Sequence, residues 1–383
     1  MNDWPLVPLG DVITLQRGFD LPSQKRQPGK VPIVSSSGIS DYHSQVGVKG
    51  PGVVTGRYGT IGQVFHINED FWPLNTTLWG KDFHGNDHHF ASYLLRTVDF
   101  QSCSDKSSVP GVNRNDLHRI PVLLPPLAEQ KAIAAVLGAL DDKIALNRRM
   151  NATLEGIARA LFQSWFVDFD PVRQNMDRRE QKSEMGRVKS KIKQPSDISN
   201  FTFPSSLFNS PATAALFPEH LEDSPLGHIP KGWMAQRLPD AIEVNPRRTL
   251  KAGTIAPYLD MKNLPTQGHS AEEVIDREYS SGTKFQNGDT LLARSDALRT
   301  HAIQNMTGTS GHQRVPSECF QNFWLAVPPP NIARSFDELT APLMAKIKAN
   351  STESRTLATL RDTLLPKLLS GEISVAAANH QIT

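Results

Sequence analysis

Residues 107–168 of the chain fall on residues 310–371 without a gap when shifted by 203 positions. Pro125-Pro126 lands on Pro328-Pro329, Ile133 on Phe336, Leu140 on Leu343, Ile144 on Ile347, Asn147 on Asn350, Leu154 on Leu357 and Leu161 on Leu364. The starts repeat too: Trp4, Leu9, Asp11 and Ile13 return 229 positions later as Trp233, Leu238, Asp240 and Ile242. A solenoid unit is only roughly 20–50 residues long, so a period of this size is not a solenoid. It reads as two copies of one module, each a globular segment followed by a long helix. Two similar surfaces related by approximate two-fold symmetry are then expected, an arrangement that suits a target with two halves.

The spacing between matched stretches is not constant. "GPGVVTGR", ending at Arg57, pairs with "NGDTLLAR", ending at Arg294, at an offset of 237, whereas Ser107 pairs with Ser310 at 203. The second copy therefore lacks 237 − 203 = 34 residues just after Arg294. In the first copy this interval carries "YGTIGQVFHINEDFWPLNTTLWGKDF" and runs on to "YLLRTVDF". Its β-branched and aromatic residues, broken by short turns, read as core strands and a helix start. Losing core strands damages a domain where losing surface loop does not. A shorter but intact second domain is the other reading.

The length of 383 residues suggests two or three domains. Two cysteines, Cys103 and Cys319, make no disulfide framework, which points to a reducing, cytoplasmic setting. The N-terminus "MNDWPLVPLG" lacks the basic and apolar regions of a signal peptide. No stretch approaches 18 apolar residues, so no membrane partner is expected. Net charge is only +2, so nucleic-acid binding would have to come from local patches rather than a general basic coat.

Residues 1–126 alternate short apolar runs ("VPIVSSS", "GVVTGR", "IPVLLPP") with Gly, Pro and Ser turns, and carry one helical stretch at "HHFASYLLRTV". They form the first mixed α/β domain. From Ile133 the periodicity changes: Leu137, Leu140, Ile144, Asn147, Asn151, Leu154, Ala158, Leu161 and Trp165 follow in steps of three and four. This heptad seam predicts a long helix over 127–167, of about 60 Å at 1.5 Å per residue. The second copy repeats the seam at Phe336, Thr340, Leu343, Ile347, Asn350, Ser354, Leu357, Arg361, Leu364 and Leu368, giving a helix over 329–375 that Pro342 is expected to kink or restart. The two seams are expected to pack on each other as an antiparallel coiled coil separating the two domains. Asn147 and Asn350 sit on matching seam positions, either fixing register in the seam or facing water at its edge.

Between the copies, residues 168–227 read as a polar, basic linker: Arg173 to Lys193 holds eight basic and three acidic residues. A second domain over 228–328 and a tail over 376–383 complete the chain.

Motifs for catalysis are missing. There is no phosphate loop, nucleophile elbow or dinucleotide fingerprint, and two cysteines do not fill a zinc site. His84, His88 and His89 flank a turn and helix start rather than forming a metal motif. Asp170 with Glu180 and Lys182 has the residue types of a nuclease site, but in the polar linker rather than on adjacent strands. A stand-alone enzyme is thus disfavoured, and no metal or cofactor is expected in this chain.

Recognition is better served. Arg17, Lys25, Arg26, Ser36, Arg57, Tyr58, Thr60, Asn75, Thr76, Lys106, Ser108, Asn113 and Arg114 cluster in short turns of the first domain. Arg247, Arg248, Lys262, Arg294 and Arg314 are the candidates in the second. Arg and Asn match guanine and adenine edges, whereas Lys, Ser and Thr mostly hold phosphates.

The stretches "PPLAEQKAIAAVLGALDDKI" and "TLLPKLLSGEI", the "VPLGDV…VPIVSSSGI…GRYGTIG" run and the "LGHIPKGW" entry to the second copy resemble the specificity subunit of Type I restriction-modification enzymes. The resemblance implies two target-recognition domains, each reading half of a bipartite DNA sequence, with the two long helices antiparallel between them. It implies docking of two methylation subunits, which supply S-adenosylmethionine binding, and of a restriction subunit with ATP-driven translocation and its Mg. The subunit itself is not catalytic. The shortened second domain departs from this pattern and opens the alternative of a degenerate subunit, a protein–protein scaffold with impaired DNA recognition.

Overall fold

A computed structural model describes residues 4–103, 111–185, 211–244, 246–260, 263, 274–286 and 317–382. Two units emerge, Met1–Arg149 with Asn350–Thr383 and Met150–Ala349. The first opens with β1 (Leu6–Pro8), a 3-10 turn at Leu9–Asp11, β2 (Thr14–Arg17), β3 (Val31–Ser35), β4 (Gly38–His43) and β5 (Gly52–Gly56). Then come β6 (Val64–Ile67), β7 (Trp72–Pro73), β8 (Thr77–Asp82), α1 (His88–Arg96), α2 (Arg114–His118), β9 (Pro121–Leu123) and the start of α3 (Leu127–Phe166).

Four strands pair in the order β2-β8-β5-β6, three in the order β4-β3-β7, and β1 pairs with β9. The run Gly52–Gly56 is buried along its whole length because β5 is an interior strand, between β8 and β6. Its Val53, with Leu15 and Leu78, packs on Phe90, Ala91, Leu94 and Leu95 of α1. Asp87 caps α1 by accepting from the Phe90 N–H at 2.8 Å. Val34, Val54, Ile67 and Phe71 form a second, smaller core.

The second unit contains α4 (Asp170–Met185), α5 (Pro211–Ala214), β10 (Leu221–Ser224), β11 (Gly227–Pro230), β12 (Met234–Arg237), α6 (Leu238–Ala241), β13 (Ile255–Tyr258) and β14 (Ile275–Glu278). A 3-10 turn at Ser317–Asn322 and β15 (Trp324–Val327) lead into α7 (Pro330–Leu369); α8 (Val375–Ile382) ends the chain. Its strands pair two by two, β10 with β11, β12 with β15 and β13 with β14.

The repeat survives as backbone geometry. The β1–β9 register sets Leu6 opposite Leu123, Val7 opposite Val122 and Pro8 opposite Pro121. In β12–β15 the positions reached by the same two shifts face each other: Ala235 with Ala326, Gln236 with Leu325, Arg237 with Trp324. The Leu9 N–H donates to the Ile120 carbonyl at 2.8 Å, and the Leu238 N–H to the Phe323 carbonyl at 2.7 Å. Helices α3 and α7 both hold 40 residues and begin one residue after a diproline.

Within each unit the long helices run antiparallel. In the first, Asp141 meets Arg361, and Lys143 and Asn147 meet Glu353. In the second, Asn151 donates to the Ile347 carbonyl at 3.4 Å, and the rings of Phe162, Trp165 and Phe166 surround Phe336. Ile133, Leu137, Leu140, Ile144, Leu161, Trp165, Ile347 and Leu364 are buried, and Leu154, Phe336, Leu343 and Leu357 half-buried. Asn147 and Asn350 are each 1% exposed, so both lie in the seam rather than at its edge.

Two expectations need correction. Pro342 does not restart α7 as a separate helix, since the helix is continuous from Pro330 to Leu369. An exposed proline removes one backbone hydrogen bond, while buried Thr340, Ile347 and Asn350 hold the helix on either side. Nor is the segment after α3 purely a solvated linker. Val172 and Met176, one turn apart on α4, pack with Phe169, Trp165, Phe217 and Trp233. Asn175 adds hydrogen bonds to the Ala214 and Phe217 carbonyls, at 2.7 and 3.0 Å.

Candidate nucleic-acid interface

Five turns of the first unit meet along the rim of its sheets, and backbone hydrogen bonds fix them to one another. The Thr76 carbonyl accepts from the N–H groups of both Arg57 and Tyr58, at 2.9 and 3.1 Å. The Arg57 carbonyl accepts from the Val112 N–H at 3.1 Å, and Tyr58 bridges to Gly111. The Gly18 N–H donates to the Thr77 carbonyl at 3.1 Å, the Phe19 N–H to the Pro73 carbonyl at 2.8 Å, and the Leu74 N–H to the Val34 carbonyl at 2.9 Å. Gly18 is required here, because a Cβ would collide with the Pro73 and Leu74 carbonyls. Ser36 closes the group, its Oγ beside Gly59 and its Cβ beside Gly56.

Arg17, Ser36, Arg57, Tyr58, Thr60, Asn75, Thr76, Asn113 and Arg114 are thus carried on adjoining turns. Arg17 and Arg114 line one open cleft with Gln16, Gly18, Phe19 and Asp20. The Arg57 guanidinium lies 4.4 Å over the Tyr58 ring, a cation–π contact that holds both side chains outward. Asn75 hydrogen-bonds Asp20, which also pairs with Arg17 at 3.8 Å.

Other candidates have structural duties. Asn113 caps α2, accepting from the Asn115 N–H at 3.0 Å. The Thr76 hydroxyl is buried. Lys25 and Arg26 sit on a different turn, tied to β4 through an Arg26–Asp41 ion pair at 3.0 Å. The Tyr42 N–H and the Arg26 guanidinium hold the Asp41 carboxyl below its usual range. Arg247, exposed, and Arg248, half-buried, lie in the second unit between α6 and β13. Lys106, Ser108, Lys262, Arg294 and Arg314 lie outside the described residues.

Sequence reading missed two participants in the rim, Phe19 and Asp20, and one half-buried link outside it, Asp141. Phe19 packs against Trp72 at 5.8 Å and Trp79 at 6.1 Å, wedging the Arg17 turn against the sheet. Asp20 places a carboxylate among the cations. Asp141 on α3 accepts from the Tyr93 hydroxyl at 2.8 Å, Arg96 at 3.0 Å and Arg361 at 2.6 Å. Burial opposes its charge, but the hydrogen bonds from Arg361 and Tyr93 and the nearby Arg96 hold its carboxyl below the usual range. The local signal for this group was an acidic residue one position after seam residue Leu140; its partners are distant in sequence.

The rim offers guanidinium, amide and hydroxyl donors on a rigid base, the chemistry of phosphate and base-edge contact. No helix among the described residues is long and apolar enough to cross a membrane.

Residues 1–156 match the family model of the Type I restriction modification DNA specificity domain. The chain is similar to the Type I restriction enzyme HindI specificity subunit of Haemophilus influenzae, 24% identical over 334 residues, or 70% of this chain and 72% of the relative. It is also similar to the MjaIX specificity subunit of Methanocaldococcus jannaschii, 24% identical over 339 residues, covering 74% of this chain and 68% of that one. Among solved structures, the S subunit of a Type I restriction-modification system from M. genitalium aligns with a TM-score of 0.49 at 13% identity, over 96% of this chain and 97% of that one. The first 156 residues thus match a Type I restriction modification DNA specificity domain, and the relatives that cover most of the chain are specificity subunits of Type I restriction enzymes.

Proposed function

We propose that this chain is the DNA-reading subunit of a cytoplasmic Type I modification complex. Its rim of turns contacts double-stranded DNA, with Arg17 and Arg114 on phosphates and Arg57 beside Tyr58 at base edges. The exposed outer faces of α3 and α7 dock methylation subunits, one for each copy of the repeat. S-adenosylmethionine belongs to those subunits, and ATP and Mg to a restriction subunit.

The observation that carries the reading is the convergence of five turns, far apart in sequence, through the single Thr76 carbonyl and its neighbours.

The test is DNA binding by the chain, alone and with its methylation subunit, across a salt series. Each phosphate contact contributes a slope of about −0.9 in log affinity against log salt, so a slope of several units is expected together with a preference among sequences. An affinity indifferent to both salt and sequence sinks the proposal and leaves the scaffold reading.

A further inference from the structure

We infer that this chain specifies DNA on one side only: the second unit keeps the frame of a recognition domain but not the strands that hold reading turns in place. The inference rests on the DNA-reading role above and narrows its substrate to DNA with a single defined block of bases.

The frame is retained in detail. β12 and β15 reproduce the register of β1 and β9. Ile13 and Ile242 occupy the same frame position, each donating its N–H to the carbonyl four residues back, Leu9 or Leu238, at 2.9 Å. Leu9 and Leu117 are buried in the first unit, and their counterparts Leu238 and Phe320 are buried in the second.

What covers the frame differs. Ile13 is 0% exposed and lies against Gly80 of β8, where a Cβ would come within 2.9 Å of its Cδ1. Ile242 is 54% exposed. The same residue type, at the same position, with the same backbone bond, has no such roof among the described residues.

Chain length explains the loss. Between Arg57 and Ser107 stand residues 58–106; between the matching Arg294 and Ser310 stand only 295–309. The first interval holds strands of four, two and six residues and a nine-residue helix, β6, β7, β8 and α1. Fifteen residues are too few for those elements, before any turn is counted. The missing part includes the counterpart of β8, which joins β2 to β5, and of the Thr76 carbonyl that braces Arg57 and Tyr58.

The rest of the second unit agrees. β3 is paired on both edges, by β4 and β7, and its middle residues are buried. The antiparallel pair β13–β14 has no third strand among the described residues, and Ile255 and Ile275 are 74% and 47% exposed.

The experiment is selection from a randomised DNA pool by the full chain co-purified with its methylation subunit. One block of defined bases is expected, with each substitution in the block weakening binding about tenfold and flanking changes by less than about twofold. Two defined blocks at a fixed spacing overturn the inference while leaving the DNA-reading role intact. No enrichment at all, with salt-insensitive binding, overturns the role itself. A second chain, with residues 233–328 replaced by residues 4–125, tests the frame: a second block matching the first is expected, and a cooperatively folded graft without one counts against it. The selection on the natural chain decides whether or not the graft folds.

Discussion

Asn147 of α3 donates through Nδ2 to the backbone carbonyl of Asn350 in α7, 3.4 Å away, and the two residues are the same position of the repeat. The Nδ2 also reaches the Glu353 carboxylate at 2.9 Å, while Asn147 Oδ1 is buried and accepts no hydrogen bond from the described residues. A polar pair here opposes sliding of the seam by a heptad, because any shifted register would bury the amides against leucines.

Asn147→Leu removes a buried unsatisfied acceptor, and Glu353 keeps its ion pair with Lys143. The expected result is a gain of about 1 kcal/mol in unfolding free energy, read as a rise in melting temperature. A fall of several degrees would show that the amide contacts outweigh the unsatisfied oxygen.

Asp141 joins three elements, since Tyr93 and Arg96 come from α1 and Arg361 from α7. Its two arginine partners are about a quarter exposed, so removing the carboxylate leaves poorly solvated cations. Asp141→Ala is expected to cost about 3 kcal/mol. A double-mutant cycle with Arg361→Ala should return a coupling of about 1–2 kcal/mol, and strict additivity would refute the interaction. The acid limb has a defined sign. A lowered folded pKa gives stability that is present above the ordinary value of 3.8 and lost as pH falls below it.

How much of this was legible in the sequence depended on range. The starts of α3 and α7 followed from a local signal, an apolar period of 3.5 entered through a diproline, whereas α7 ends at Leu369, short of the 375 that the sequence suggested. The β1 and β9 strands were visible as short apolar runs, but their pairing across more than a hundred residues appeared only through the repeat. Charge averaging hid α4, which docks through Val172 and Met176 and through Asn175, whose Nδ2 donates to the Ala214 and Phe217 carbonyls. Asn113 and Arg26 look like DNA-contacting residues by type; which of them caps a helix or pairs with Asp41 is decided by tertiary neighbours. Likewise Arg17 and Arg114 share a cleft for reasons no window of sequence contains.

Histidines that read as a turn flank form a stack. The His66 ring lies 5.0 Å from His88 and 4.5 Å from His89, and His89 occupies the space that Gly138 leaves on α3. Burial, then the neighbouring His89 and His88, pushes the His66 pKa down to about 4, although Asp87 acts in the opposite direction. A depressed histidine pKa gives stability that is full above 6.5 and is lost as pH falls towards 4. Stability to urea should be lower at pH 5 than at pH 7, and His66→Gln should reduce that difference, His89 and His118 contributing the rest in the same direction. An unchanged pH dependence in His66→Gln would place the titration elsewhere.

Asn113 separates shape from contact. Its side chain caps α2 at the Asn115 N–H, so Asn113→Ala is expected to lower stability by about 1 kcal/mol, measured by denaturant. A variant with unchanged stability would return Asn113 to the set of DNA-contacting residues.

Arg17 and Arg114 give the sharpest test of the rim, because they approach the same cleft from opposite ends of the domain's sequence and Arg17 shares Asp20 with Asn75. If both meet phosphates, Arg17→Ala and Arg114→Ala each weaken binding to all sequences alike and lower the salt slope by about 1. Arg57→Ala should behave differently. Its guanidinium is held over Tyr58 on a turn braced by the Thr76 carbonyl, so its loss should cost about 1–3 kcal/mol on the preferred sequence, less on others, and leave the slope almost unchanged. If all three substitutions shift the slope equally and spare discrimination, the rim grips the DNA backbone and the bases are read elsewhere.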